Sequence, residues 1–159
     1  MMNKRVLILH GLGGSDYPHW QSCLAADLIK QNATVSFPSF QNRDNPQLEQ
    51  WKENLKKEIN HFNPDIVICH SLANVLWFHT CDELDIELEK LMLVAPVSRN
   101  RVVEAAKTFY PYPIAKELKA KTVAEYIHNK EVYDIVSRLG ADFLQGFYLA
   151  EPHPLKEVN

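Results

Sequence analysis

The sequence predicts an α/β fold: a three-layer, doubly wound, mostly parallel sheet of about six strands with flanking helices. Three observations carry this reading. Short apolar, β-branched runs alternate with longer amphipathic segments along the chain, the pattern of strand–crossover–strand units. Turns built from small residues close the first and third of those runs. No internal repeat, low-complexity stretch or linker divides the 159 residues, so residues 1–159 read as a single domain around one core.

The first run, Val6-Leu7-Ile8-Leu9, reads as a buried strand ending at His10-Gly11, and Gly11-Leu12-Gly13-Gly14-Ser15 is the loop after it. Trp20, Leu24, Ala25 and Leu28 recur at helical spacing over residues 20–30. Residues 34–37 form a short second strand stopped by Pro38, and residues 47–62 an amphipathic helix with Leu48, Trp51, Leu55 and Ile59 on one stripe. A third strand covers 66–69, a helix 72–79, and a fourth strand 90–95, closed by Pro96. Residues 102–108 read as a helical turn, and Tyr110-Pro111-Tyr112-Pro113 as irregular chain, since residues before proline avoid the helical region; Phe109, Tyr110 and Tyr112 fall in this irregular, proline-rich segment as candidate pocket-lining residues. A short fifth strand at 122–124, a helix over 128–139 capped by Gly140 and a last strand over 142–149 complete the pattern. Trp20, Trp51 and Trp77 fall on core stripes and read as packing residues. The strand order 2-1-3-4-5-6 is expected. It reverses between the first and third strands, where open α/β sheets bind ligands. The turns at Gly11 and Ser71 then share one crevice.

Composition narrows the function classes. Hydrophobic residues make up 46% and charged residues 23%, with a formal net charge of −3, the balance of a soluble globular protein without a basic patch for nucleic acid. No apolar run is long enough for a membrane span or a secretory leader. Cys23, Cys69 and Cys81 are scattered and odd in number, which suggests a reduced, cytoplasmic protein. The seven histidines (His10, His19, His61, His70, His79, His128 and His153) lack metal-ligand spacing. No metal or cofactor is expected. Oligomeric state is not legible.

The chemistry centres on Cys69-His70-Ser71-Leu72-Ala73, which joins the third strand to an apolar helix. A serine flanked two residues away on each side by small residues is the layout of a nucleophile elbow, in which a sharp turn lifts the hydroxyl out of the sheet. Cys69 and Ala73 stand where glycines usually do. The other reading of Ser71 is a helix N-cap. If Ser71 attacks, the oxyanion donors are the backbone N–H of Leu72 and that of Leu12 in the first loop. The base belongs on the loop after the last strand, where His153 lies. The acid belongs after the fifth strand, where Glu125 is the sole carboxylate. Glu151 is a poorer alternative acid. A solvated strand-end charge for Glu125 and a surface tail residue for His153 are the competing readings. His10 reads as a positioning residue and His70 as pointing away from the elbow. The first loop has Asp16 where a dinucleotide fingerprint needs its third glycine, so a flavodoxin-like phosphate or nucleotide binder is a lesser alternative.

The chain also resembles a known family, the small α/β serine hydrolases typified by retinoblastoma-binding protein 9. The resemblance rests on His10-Gly11 with Gly13-Gly14-Ser15 and His19-Trp20; on Phe37-Pro38 with Pro46 and Trp51; on His70-Ser71-Leu72; on Leu93-Val94-Ala95-Pro96; and on Arg138-Leu139-Gly140-Ala141. It implies an α/β-hydrolase-like fold, Ser71 as nucleophile, His153 as base, and a carboxylesterase-type reaction on a small ester through an acyl-enzyme. Two departures stand out. The family's Asp-Pro-Tyr falls on Ala124-Glu125-Tyr126, so the usual aspartate is missing, and its Gly-His becomes Pro152-His153. They leave a second expectation, a catalytically impaired member that acts as a binding module.

Overall fold

The computed structural model describes residues 3–97, 103–111, 122–124, 127–138, 141 and 143–151. Its elements run β1 (Arg5–Leu9), α1 (Trp20–Lys30), β2 (Thr34–Ser36), α2 (Leu48–Phe62), β3 (Ile66–His70), α3 (Leu72–Thr80), β4 (Lys90–Val94), β5 (Thr122–Ala124), α4 (Lys130–Arg138) and β6 (Phe143–Leu144), with 3-10 turns at Cys81–Glu83 and Glu104–Phe109. All six strands pair in parallel, in the order β2-β1-β3-β4-β5-β6. This is the doubly wound sheet that the sequence predicts, with its reversal between β1 and β3.

The pleat explains why strands buried on both faces read as continuous apolar runs. Leu7, Leu9, Val67, Cys69 and Leu93 join the core beneath α2 and α3, while Val6, Ile8, Ile68, Val94 and Val123 join the core beneath α1. Helix α2 buries Trp51, Leu55 and Ile59, one stripe of a helix otherwise covered in charge. The Trp51 indole donates to the Gln41 carbonyl at 2.9 Å, so this buried aromatic leaves no polar atom stranded. Helix α3 is buried on nearly every side. A mostly apolar helix suits a position packed against both the sheet and a second helix.

Three local expectations are corrected. The last strand is two residues long rather than 142–149. After Leu144 the chain turns at Gly146, and its backbone bonds with Ile127 (Ile127 N–H to Gln145 O, 3.0 Å; Tyr148 N–H to Ile127 O, 2.9 Å), drawing it across the end of β5. The helix expected over 128–139 begins at Lys130, because the Asn129 side chain accepts from the Val132 N–H at 2.9 Å and caps it. Phe109, in the segment read as irregular, is fully buried and meets Trp51 edge-on at 5.6 Å. Gly140 and Tyr112 lie outside the described residues.

Candidate functional site

Ser71 joins β3 to α3 with φ 52° and ψ −117°. This backbone conformation is costly for any residue with a Cβ, about 1–3 kcal/mol. Ser71 occupies the N-cap position, yet its side chain makes no capping hydrogen bond. The helix-cap reading of this serine is therefore not what the structure displays. Its own N–H donates to the Val94 carbonyl at 3.0 Å, which fixes the turn against β4. Cys69 and Ala73 are both fully buried, with no exposed surface. Burial also pushes the Cys69 thiol well above its ordinary range and keeps it protonated.

The first loop lies directly against this elbow. A methyl group on Gly11 would sit 2.8 Å from the Ser71 Cβ and 3.3 Å from its Oγ. Gly13 and Gly14 follow with φ of 80° and 85°, a region that glycine enters without strain. The Gly13 N–H donates to the Arg43 carbonyl at 2.9 Å and the Gly14 N–H to Gly11 O at 3.3 Å. The Leu12 N–H makes no backbone hydrogen bond to another described residue. Across the crevice, the Leu72 N–H opens α3 and belongs to the first turn, which has no intrahelical acceptor. The positive end of the helix dipole adds to it. Leu12 and Leu72 thus follow directly after the two residues in contact, Gly11 and Ser71, and neither N–H has a backbone acceptor among the described residues.

Side chains from three segments hold the loop in place. His10 is 2% exposed. Its Nδ1–H donates to Gly11 O at 2.7 Å and its Nε2 accepts from the Phe40 N–H at 2.9 Å. Both nitrogens are thereby committed to the neutral ring, and burial lowers its pKa below the ordinary histidine value. His10 is a bridge between loops, not a free base. Gln21, fully buried, accepts from Ser15 Oγ at 2.7 Å and donates to Leu9 O at 3.0 Å. Arg43 forms a two-pronged pair with Asp16 (2.8 and 2.7 Å) and lies across Gly14, where a methyl group would sit 2.6 Å from Nη1. The pair holds the Asp16 carboxyl below its usual range. Sequence reasoning did not find Gln21, Arg43 or this role of Asp16, because contacts between distant loops leave no spacing signature.

His70 packs on His19 (5.2 Å) and Trp20 (5.4 Å). Glu125 and His153 lie outside the described residues. Gln145 N–H donates to Ala124 O at 2.9 Å, next to the Ile127 bonds described above, so the end of β5 is tied to the turn after β6. A cleft of about 290 Å³ runs between residues 38–41 and α2, and one of about 440 Å³ is lined by Asn42, Asp44, Asn45 and Gln47; Ser71 lines neither. Among the described residues no group of histidines, cysteines and carboxylates is arranged to hold a metal ion, and no helix is long and apolar enough to cross a membrane.

The contact between Gly11 and Ser71 gives a direct prediction. Gly11→Ala is expected to lower turnover at least about tenfold, since the new methyl group presses on the hydroxyl-bearing carbon and displaces Leu12. Steady-state kinetics on a chromogenic ester checks it, with a kcat within twofold of wild type as the contrary result.

Three solved structures share this fold. The ydeN gene product of B. subtilis superposes with a TM-score of 0.69 at 18% identity, covering 90% of this chain and 84% of that one. A Xanthomonas campestris pv. campestris protein assigned to the alpha/beta hydrolase superfamily gives 0.55 at 17% identity, covering 91% and 86%. A ydeN-like protein of Pectobacterium atrosepticum gives 0.56 at 17% identity, covering 91% and 76%. Among curated proteins, a 42-residue stretch is 40% identical to cyclic di-GMP phosphodiesterase PdeF of Escherichia coli K12; it spans 26% of this chain and only 6% of that protein. The family model described as serine hydrolase matches residues 6–143. An uncapped serine on a strained strand-to-helix turn, in a six-stranded parallel sheet of this order, accords with that match: the chain belongs to the serine hydrolase family.

Proposed function

We propose that the protein is a carboxylesterase-type hydrolase of small esters, of the branch typified by retinoblastoma-binding protein 9, acting through an acyl-enzyme on Ser71. His153 is the base, Glu125 the carboxylate that orients it, and the Leu12 and Leu72 N–H groups bind the oxyanion. The observation that carries the reading is the strained Ser71 with its hydroxyl unused by the helix and its Cβ against Gly11. Strain retained at one serine is expected where the turn's geometry serves chemistry.

In this scheme His153 takes the Ser71 proton as Oγ attacks the ester carbonyl carbon. The developing oxyanion is held by the two N–H groups, each of which supplies roughly 2.7–4 kcal/mol in comparable sites. Collapse breaks the bond to the alkoxy group, which leaves with the proton from His153. Water, deprotonated by the same histidine, then attacks the acyl-enzyme and releases the acid. The bonds of Ala124 and Ile127 to residues 145 and 148 tie the chain on either side of Glu125 to the turn that precedes His153 in the sequence. The three free cysteines fit a reducing compartment such as the cytoplasm.

A fluorophosphonate probe tests the reading. One adduct per chain, mapped to the peptide containing Ser71 and lost on pre-incubation with an ester substrate, is expected. Folded protein that takes up no probe and turns over no p-nitrophenyl ester would refute it and favour the binding-module alternative.

A further inference from the structure

Asn74 is a polar residue in the first turn of a mostly apolar helix, and the catalytic scheme above makes no use of it. It is fully buried. Its Nδ2 donates to two carbonyls, Ser71 O at 2.9 Å and Val94 O at 2.8 Å, and its backbone N–H donates to Ser71 O at 3.1 Å. The Val94 carbonyl also receives the Ser71 N–H. The peptide groups on both sides of the Ser71 Cα are therefore pinned, one directly to β4 and the other to β4 through the Asn74 amide. The residue after Val94, Ala95, is itself held at φ 46°. The amide thus ties together two strained strand ends that lie side by side at the carboxyl edge of the sheet.

The orientation of the amide follows from its partners, since turning it over would set Oδ1 against two carbonyl oxygens. In the orientation that satisfies Nδ2, the buried Oδ1 has no hydrogen-bond partner among the described residues. A buried acceptor left without a donor opposes folding. An apolar side chain of similar size would avoid that cost. The asparagine is thus better explained by what it holds than by any net stabilisation it confers.

We propose that Asn74 is a positioning residue: its side-chain amide clamps Ser71 in the strained backbone conformation that aims Oγ into the crevice. The inference rests on the serine esterase reading. Asn74→Leu keeps the volume and removes the clamp. Its kcat per folded molecule is expected to fall about ten- to a hundredfold, with KM within twofold of wild type and a Tm no lower than that of Asn74→Ala. A folded Asn74→Leu enzyme with kcat within twofold of wild type overturns the proposal, as does a loss confined to KM. A second measurement needs no variant and no activity. In wild-type protein the Asn74 side-chain NH2 protons are expected to exchange with solvent as slowly as the amides of β4. Exchange at the rate of an exposed amide overturns the clamp even if the variants do not fold. A wild-type enzyme inert to the probe defeats the esterase reading instead, and slow exchange there still reports the clamp.

Discussion

Replacing Ser71 by glycine is expected to abolish ester turnover and at the same time to raise the thermal midpoint. Loss of the nucleophile in serine hydrolases lowers kcat on the order of 10⁶-fold. The stability effect has the opposite sign because Ser71 sits at φ 52°, ψ −117°. Relief of that conformation contributes about 1–3 kcal/mol, offset by about 0.5–1 kcal/mol for the greater freedom of glycine in the unfolded chain. Ser71→Ala separates the two effects, since it removes Oγ but keeps the Cβ and its strain. The glycine variant is therefore expected to melt above the alanine variant, by about 2–4 °C for each kcal/mol of net relief. Thermal denaturation of both proteins beside wild type measures this. A glycine variant that melts below the alanine variant would show that the turn is not strained. Turnover retained by either variant would place the nucleophile elsewhere.

Much of the fold was legible because its determinants are local. Apolar runs such as Val6–Leu9 and Ile66–Cys69 must be covered on both faces, and a sheet covered on both faces by crossover helices is parallel. The neighbouring turns at Gly11 and Ser71 follow from that order alone. The supports of the site were less legible because they depend on contacts between segments far apart in the chain. Asp16 and Arg43 pair across the first loop and the chain after β2, and nothing in either segment marks the other. Asn74 escapes a pattern-based reading for another reason. A polar residue in a mostly apolar helix reads as a solvent-facing position, and the nearness of the Ser71 and Val94 carbonyls explains it. Phe109 was read from its proline-rich surroundings, yet tertiary packing against Trp51 decides its place. His10 was readable as a positioning residue because it ends a buried strand beside a glycine loop, where a charged imidazolium would lose its hydration.

Among the described glycines, Gly146→Ala is expected to have the largest effect on stability. A Cβ at Gly146 would lie 2.3 Å from both the nitrogen and the oxygen of Ile127 and 2.7 Å from its carbonyl carbon. These are backbone atoms, so no side chain can swing aside, and the two segments must separate. Ile127 also bonds to Gln145 and Tyr148, so separation strains or breaks the hydrogen bonds that hold the turn after β6 across the end of β5. Overpacking of this kind costs about 1–3 kcal/mol or more, which corresponds to a fall in Tm of about 2–4 °C per kcal/mol. The consequence for turnover depends on where the base and its carboxylate lie. If the turn after β6 helps to place the base, a shift of about 1 Å lowers kcat about a hundredfold. Probe labelling at Ser71 should slow with it, because the same base activates the hydroxyl. A Gly146→Ala protein that melts lower but keeps wild-type kcat per folded molecule would separate this turn from the chemistry and place the base on another segment. The two measurements together, a melting curve and an active-site titration, therefore test whether the turn after β6 supports the chemistry at Ser71.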